Sequence, residues 1–455
     1  MGFYRVYSER DTWITNRANP DDTSVTSSGS NHGASPSLNI FALSASVSPN
    51  AMDVARSLIK FGLTELSGKI YTDMVIPSSS VTYKLKMFNM AHADTVPSSY
   101  DLFIFPLSRS WDEGVGNDDD TDRDGGVANW VQPISTADWV VAGSDYLTAS
   151  YGSASQHFDD GQEDLEVNVT DMVTCWLTGA IANNGIVVKL GSTEESTGDY
   201  FRKAFHSRQS KYIDRLPYIE AQFEDTIKDH RDNFAINQDN NLYLYNVIRG
   251  ELTDLSSAPT VRLQDSIGSA SIVMTSGSSR VTTGIYRATF HPTSIGLSSS
   301  WADIWYVGST VYMSGTVKPL ILTGSQADVY GELSTNVDNL KRVYGTDEKA
   351  RLLVTTMDRD YVTHVGPLHS ASSDIESLRL EKMYYSIVND DSGEVIVPFG
   401  TGSIKYTQLS YDGNGNYFDL YMSSFVPGFV YRIKFLVDIN RERKIYDEGF
   451  RFKVV

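Results

Sequence analysis

The chain has 455 residues, 41% of them hydrophobic, with 26 Tyr, 19 Phe and 7 Trp, which excludes global disorder and suffices for several cores at roughly 150 residues per domain. A formal net charge of −19 gives a surface that repels nucleic acid and anionic membrane, so neither is an expected partner. One cysteine, Cys175, excludes an intrachain disulfide framework. No stretch approaches the roughly 20 apolar residues of a membrane-spanning helix, so membrane insertion is not expected.

Taken in order, the chain enters strand-like sequence at once, in Phe3-Tyr4-Arg5-Val6-Tyr7. The start lacks the basic region, apolar core and cleavage site of a secretory signal, and Val6 stands where a myristoylation motif needs Ser or Thr. The expectation is a protein made and assembled in a reducing cytosol. Further strands are expected at residues 81–90, 101–106, 165–169 and 186–190, where apolar residues alternate or form short runs between Gly, Pro, Asn and Ser clusters. At residues 54–66 helix and strand periods compete, and a strand is preferred. A short helix is predicted at residues 171–177: Thr170 caps it, Asp171 suits its positive end, and Val169, Val173, Trp176 and Leu177 share a face. Gly179 ends it, and Asn183-Asn184-Gly185 turns the chain into the next strand. Cys175 inside this helix reads as a small core residue.

The polar stretch 224–240 reads as a linker that proteases should cut first. A second segment, 241–335, carries strands near 271–274, 286–290, 301–307 and 310–316. Residues 336–349 form a charged connector, also expected to be cut. A third segment, 350–455, has strands at 384–388, 417–422, 430–437 and 450–454, with a turn at Asp412-Gly413-Asn414-Gly415-Asn416. Strands at this spacing in segments of about 100 residues fit immunoglobulin-like sandwiches.

The most chemically loaded stretch is residues 111–126, with seven carboxylates between Asp112 and Asp124. Asp120, Asp122, Asp124 and Gly125 match the opening of a calcium loop, but Val131 occupies the twelfth position, where such loops place a bidentate Glu. The alternative is a solvated acidic loop, and it is preferred over a calcium site. Signatures of the common nucleophile, metal and phosphate-binding enzymes are missing, and the eight histidines make no close ligand pair; no enzyme activity and no required cofactor are expected. Trp111, Trp130, Trp139 and Trp176 all fall in the first segment. Trp111 and Trp130 with Glu113 make a candidate glycan site, since rings stack on sugar faces and carboxylates bind hydroxyls. The competing role for each ring is core filling.

Several stations in residues 1–225 occur in a characteristic order. They are Arg56-Ser57-Leu58-Ile59-Lys60-Phe61, Ser110-Trp111-Asp112-Glu113-Gly114, Val167-Asn168-Val169-Thr170-Asp171-Met172-Val173 with Trp176-Leu177, Asn184-Gly185-Ile186-Val187-Val188-Lys189, Phe205-His206-Ser207-Arg208 and Leu216-Pro217-Tyr218-Ile219-Glu220. This segment resembles the DNRLRE-type domain, a jelly roll related to carbohydrate-binding modules. The run from Ser110 through Asn129-Trp130, with Glu163-Asp164-Leu165-Glu166-Val167, Pro217 to Ala221 and Tyr243-Leu244-Tyr245-Asn246, is similar to virion proteins of tailed phages that join this jelly roll to immunoglobulin-like domains. The resemblance implies an all-β chain: a jelly-roll β-sandwich at 1–230 followed by immunoglobulin-like β-sandwiches at 241–335 and 350–455. It further implies a structural protein of the phage neck, tail or outer decoration, located in the virion and bound to other virion proteins and to copies of itself. The alternative it implies is a receptor-binding tail protein that grips host surface glycan through the jelly roll.

Overall fold

The computed structural model describes residues 2–17, 29–44, 52–78, 80–117, 127–148, 151–197, 200–265, 272–293, 300–320, 332–358, 377–439 and 442–455. Strands take 49% of the chain and helices 7%, which makes the protein all-β. The chain forms two compact units. One comprises residues 3–67 and 81–222; the other comprises residues 1–2, 68–80 and 223–455.

In the first unit the strands are β1 (Phe3–Thr15), β2 (Ser37–Ser44), β3 (Met52–Phe61), β4 (Thr82–Met87) and β5 (Tyr100–Pro106). They continue as β6 (Ala154–Phe158), β7 (Leu165–Asn168), β8 (Ile186–Leu190), β9 (Tyr200–His206) and β10 (Tyr218–Gln222). The long strand β1 serves two sheets. Its first half, Phe3 to Tyr7, pairs with β10, which continues through β4 to β7. Its second half, Ser8 to Thr15, pairs with β3, which continues through β8 and β5 to β6 and also carries β2 and β9. The register slips between Ser8 and Arg10, a bulge at the point where the strand changes partners. Every one of these pairings is antiparallel, and β8 is buried at all five positions, its one charged residue, Lys189, being paired with Glu195.

The contested stretch resolves into both periods: strand to Phe61, then helix α1 (Thr64–Tyr71). Helix α2 (Thr170–Leu177) lies where it was expected, with Met172, Val173 and Trp176 buried. Its cap differs from the expectation. Val169 is the cap residue and makes no side-chain cap bond. The Thr170 hydroxyl accepts instead from the Tyr83 amide (2.9 Å) and donates to Asn168 Oδ1 (2.6 Å), tying the helix start to β4 and β7. Cys175 is half-buried, not enclosed.

In the second unit, residues 240–320 form two facing sheets. One is ordered Ile272–Gly277, Thr260–Gln264, Trp301–Val307, Thr310–Val317; the other is Asn240–Tyr245, Ile285–Phe290, Ser279–Thr282. Trp301, Trp305, Phe234 and Tyr286 fill the space between them, each worth about 1.5–3 kcal/mol or more in buried apolar area. Residues 333–454 form a second sandwich. Its four-stranded sheet runs Leu333–Val337, Lys349–Asp358, Gly415–Tyr421, Ser410–Asp412. Its five-stranded sheet runs Val343–Tyr344, Glu442–Val454, Val430–Ile439, Met383–Asn389, Val395–Val397. Phe418 of the first sheet stacks on Tyr385 of the second at 4.5 Å. The expected charged connector at 336–349 is shorter than anticipated, because Val337 ends one strand and Val343–Tyr344 forms another.

The polar stretch read as a linker is a strap. The Asp229 amide donates to Tyr411 O, Tyr411 donates back to Ile227 O, and Lys318 donates to Arg231 O. Phe234–Ala235 then pairs in parallel with Pro319–Leu320. One chain segment is therefore hydrogen-bonded to both sandwiches of the unit. Arg231 anchors it, donating to the carboxylates of Asp229 and Asp303 and to Tyr243 O. Asp303 is fully buried and also accepts from Trp305 Nε1 at 2.7 Å. A side chain at Gly315 would stand 2.6 Å from the Asp303 carboxylate, so only glycine fits beside this pair. Burial pushes the Asp229 carboxyl up to about 7, against the pull of Arg231.

Native trypsin digestion should consequently spare Lys228 and Arg231, although both fall in the most polar part of the chain. Early fragments with termini at either residue, mapped by mass spectrometry, would show that the strap is not packed.

Candidate functional site

The structure describes three of the residues singled out for binding, Trp111, Glu113 and Trp130, all in the first unit. Asp120, Asp122 and Asp124 lie outside the described residues. Among the described residues no group of three His, Cys, Asp or Glu side chains is placed to hold a metal.

The chain on either side of residues 118–126 is fastened at its base. Ala128 N donates to Asp112 O at 2.8 Å. Asn31, fully buried, donates from Nδ2 to Glu113 O and Ala128 O (2.8 Å each) and accepts at Oδ1 from Gly33 N and Gly116 N. Gly114 sits at φ +76°, and a Cβ there would meet the Asn31 amide at 2.3 Å. A single asparagine thus sets the spacing of both flanks, using a side chain whose donors and acceptor are all engaged.

Glu113 projects from this base toward β1. Its Oε1 accepts from Asp11 N (2.8 Å) and Arg208 Nε (2.5 Å), and its Oε2 accepts from Arg208 (2.6 Å). Both oxygens are engaged in a bidentate pair that joins residue 113 to the chain after β9. Asp11 is the less comfortable neighbour. It is 1% exposed, its Oδ2 accepts from Arg208 N at 2.7 Å, and its Oδ1 has no hydrogen-bond partner. Burial pushes the carboxyl up to about 7; the Arg208 amide works in the opposite direction, and the nearby Glu113 charge adds to the rise.

The two tryptophans part company. Trp111 is 2% exposed, packs with Ile14, Leu58 and Val187, and donates from Nε1 to Asn184 O at 2.9 Å. It presents no free ring face. Trp130 is half-buried, with the Arg56 guanidinium 5.1 Å from its ring centre. Arg56 also donates to both oxygens of Glu195 and to Gly143 O, and Lys189 approaches Glu195 at 3.1 Å. Trp139 is buried and donates to Asn129 O. The arrangement brings Glu113 beside Asp11 and Arg208, and sets Trp130 over Arg56.

Sequence reasoning missed two features. Lys203 is 1% exposed, and its ammonium donates to Asn89 Oδ1, Gly161 O and Glu163 O at 2.7–2.9 Å. Burial draws its pKa down to about 8. In the second unit a cleft of about 520 Å³ is lined by Lys69, Tyr243, Arg351, Tyr417 and Asp419, among others. Burial acts to raise the Asp419 carboxyl, but hydrogen bonds from Arg351 and the charge of Lys349 outweigh it and hold it below the usual range. The Arg351 guanidinium lies 4.6 Å from the Tyr417 ring centre, and the Tyr417 hydroxyl is 3.0 Å from that of Tyr245. No sequence period marks either place, because the partners are far apart in the chain.

No family model matches the chain, and no curated protein matches it. Among solved structures it is similar to tandem Ig repeats of Dlar (8% identity, 50% of this chain and 95% of that one, TM-score 0.16). Tandem Ig domains of titin match at 11% identity, covering 50% of this chain and 93% of that one, with a TM-score of 0.15. A Ca2+-stabilized adhesin with which an Antarctic bacterium binds ice matches at 8% identity, covering 99% and 91%, with a TM-score of 0.16.

The raised Asp11 pKa has a defined pH signature. The folded state holds the proton more tightly than the unfolded one, so the favourable term is complete below the ordinary carboxylate pKa of 3.8 and is lost as pH rises through about 7. Asp11→Asn removes that titration. The stability of the native protein relative to this variant should fall between pH 4 and 7, by at most about 1.4 kcal/mol per pH unit. Parallel stability curves in urea across that range would contradict the assignment.

Proposed function

We propose that the protein is a non-enzymatic structural component of a tailed-phage virion, placed in the neck, tail or outer decoration and acting through contacts with other virion proteins and with its own copies. The observation that carries this reading is the use made of charged groups. Glu113, Glu195, Asp303 and Asp419 are each bound to Arg or Lys in pairs that fasten loops and strands, which suits a rigid assembly part. The phage context comes from the resemblance of the run from Ser110 through Asn129-Trp130, with residues 163–167, 217–221 and 243–246, to virion proteins of tailed phages. The test is direct. Particles purified from lysates of the host should contain the chain in fixed stoichiometry by mass spectrometry, with symmetric density for it by electron microscopy. Its absence from purified particles would sink the proposal.

A second reading, a receptor-binding tail protein that grips host glycan, draws on the partly open ring of Trp130. On a glycan array, Trp130→Ala would abolish saccharide binding while leaving the fold intact. Trp111→Ala acts differently, destabilising the protein by about 3–5 kcal/mol because it empties a buried site. Saccharide binding that survives Trp130→Ala would remove this reading.

For the acidic loop of Asp120, Asp122 and Asp124, the expected outcome is that calcium and magnesium at equal ionic strength raise the unfolding temperature alike, by screening. A calcium-specific rise lost in Asp122→Ala would instead assign a calcium site.

A further inference from the structure

Sheet edges expose backbone donors and acceptors that can pair with another chain, and proteins guard them with charge, proline, bulges or short length. The strand Glu442–Val454 shows such a guard. Among the described residues only the strand Val343–Tyr344 pairs with its outer edge, at Lys453 and Val454, and its thirteen residues include Glu442, Arg443, Lys444, Asp447, Glu448, Arg451 and Lys453. Ser410–Asp412 and Val395–Val397 are edges of three residues each.

The edge strand Thr310–Val317 is built differently. It has eight residues, Thr-Val-Tyr-Met-Ser-Gly-Thr-Val, with no charge and no proline. It ends its four-stranded sheet, paired on one side with Trp301–Val307 and on the other with no strand among the described residues. Its one irregularity is a bulge at Tyr312, close to the turn, which leaves Met313 to Val317 in regular register. Ser314 and Thr316 are exposed, as are Val311 at 58% and Tyr312 at 45%, while Gly315 faces inward toward the Asp303–Arg231 pair and Met313 packs against the core. Val and Thr with an aromatic are strand-forming residues, so the edge is stiff and already in the geometry a partner strand needs.

From these observations we propose that Thr310–Val317 is a self-association edge, at which a second copy of this chain adds the same strand antiparallel about a two-fold axis and extends the sheet. The charge pattern selects the occupant. In a chain of net charge −19, self-contact brings like charges together almost anywhere, and this strand meets its copy with none. A two-fold axis perpendicular to the sheet keeps every side chain on its own face, so the outward Ser314 and Thr316 pack against their counterparts and the inward residues stay inside. The contact is isologous and closed, giving dimers rather than fibres. It gives one surface to the self-contacts of the proposed function, and its test is separate, since a dimer in solution can be present or absent whether or not the chain is found in particles.

The test uses the full chain. Sedimentation velocity over a concentration series should show a reversible monomer–dimer equilibrium. Hydrogen exchange should slow at amides within residues 310–317 as the dimer fills. Ser314→Lys with Thr316→Lys places like charges across the axis and should weaken dimerisation at least tenfold, with an unchanged unfolding temperature at concentrations low enough that both proteins are monomeric. Ile445→Lys, an equally exposed change on the charged edge, should leave dimerisation as it was. A chain that stays monomeric throughout the series, or a dimer indifferent to the double lysine variant, overturns the proposal.

Discussion

The guanidinium of Arg231 is the constraint around which the larger unit is organised. An arginine withdrawn this far from water must find acceptors for its fork of donors or lose hydration without return. Here it finds Asp229 beside it in the strap, Asp303 on a central strand of one sheet and the carbonyl of Tyr243 on a strand of the facing sheet. Those three acceptors lie on three chain segments, so satisfying one side chain fixes all of them at once. Consequences spread outward. Trp305 orients toward Asp303, Gly315 has no room for a side chain, and the backbone of 227–235 is carried past Tyr411 before it reaches Pro319.

That cluster also explains where the sequence was legible and where it was not. Period and punctuation located β8, α2 and the strands expected at 301–307 and 430–437, because each buries a regular face or run beside a turn residue, such as Gly185 before β8, at φ +89°. The strap was misread for a physical reason. Asp229, His230, Arg231 and Asp232 look like a solvated linker when polarity is taken to mean exposure, and pairing between distant charges reverses that inference. Residues 54–66 misled differently, since a strand followed directly by a helix superimposes two periods.

The site was legible in its parts and not in its geometry. Glu113 and Trp130 stood out in the sequence as glycan-binding candidates, yet the arginines that engage them, Arg208 and Arg56, lie about 95 residues after and 74 before in the chain. No local pattern reports such a meeting. Trp111 and Trp130 stand nineteen positions apart in the sequence and look interchangeable there; only the fold separates the ring that fills the core from the ring that lies over a cation. Lys203 carried no signal at all, because a lysine satisfied by two carbonyls and an amide side chain is indistinguishable in sequence from one in water.

The double membership of β1 gives the first unit a particular mechanical character. Because Phe3 to Tyr7 belong to one sheet and Ser8 to Thr15 to the other, tension along this strand is shared between two ladders of antiparallel hydrogen bonds. Because the two ladders use different residues of the strand, a pull from the Phe3 end meets the β10 ladder first and the β3 ladder only from Ser8 onward. Resistance to pulling is governed by the unfolding barrier and not by equilibrium stability, so a strand that holds two ladders in succession sets two barriers in the path of a stretching force even where its net free energy of folding is ordinary.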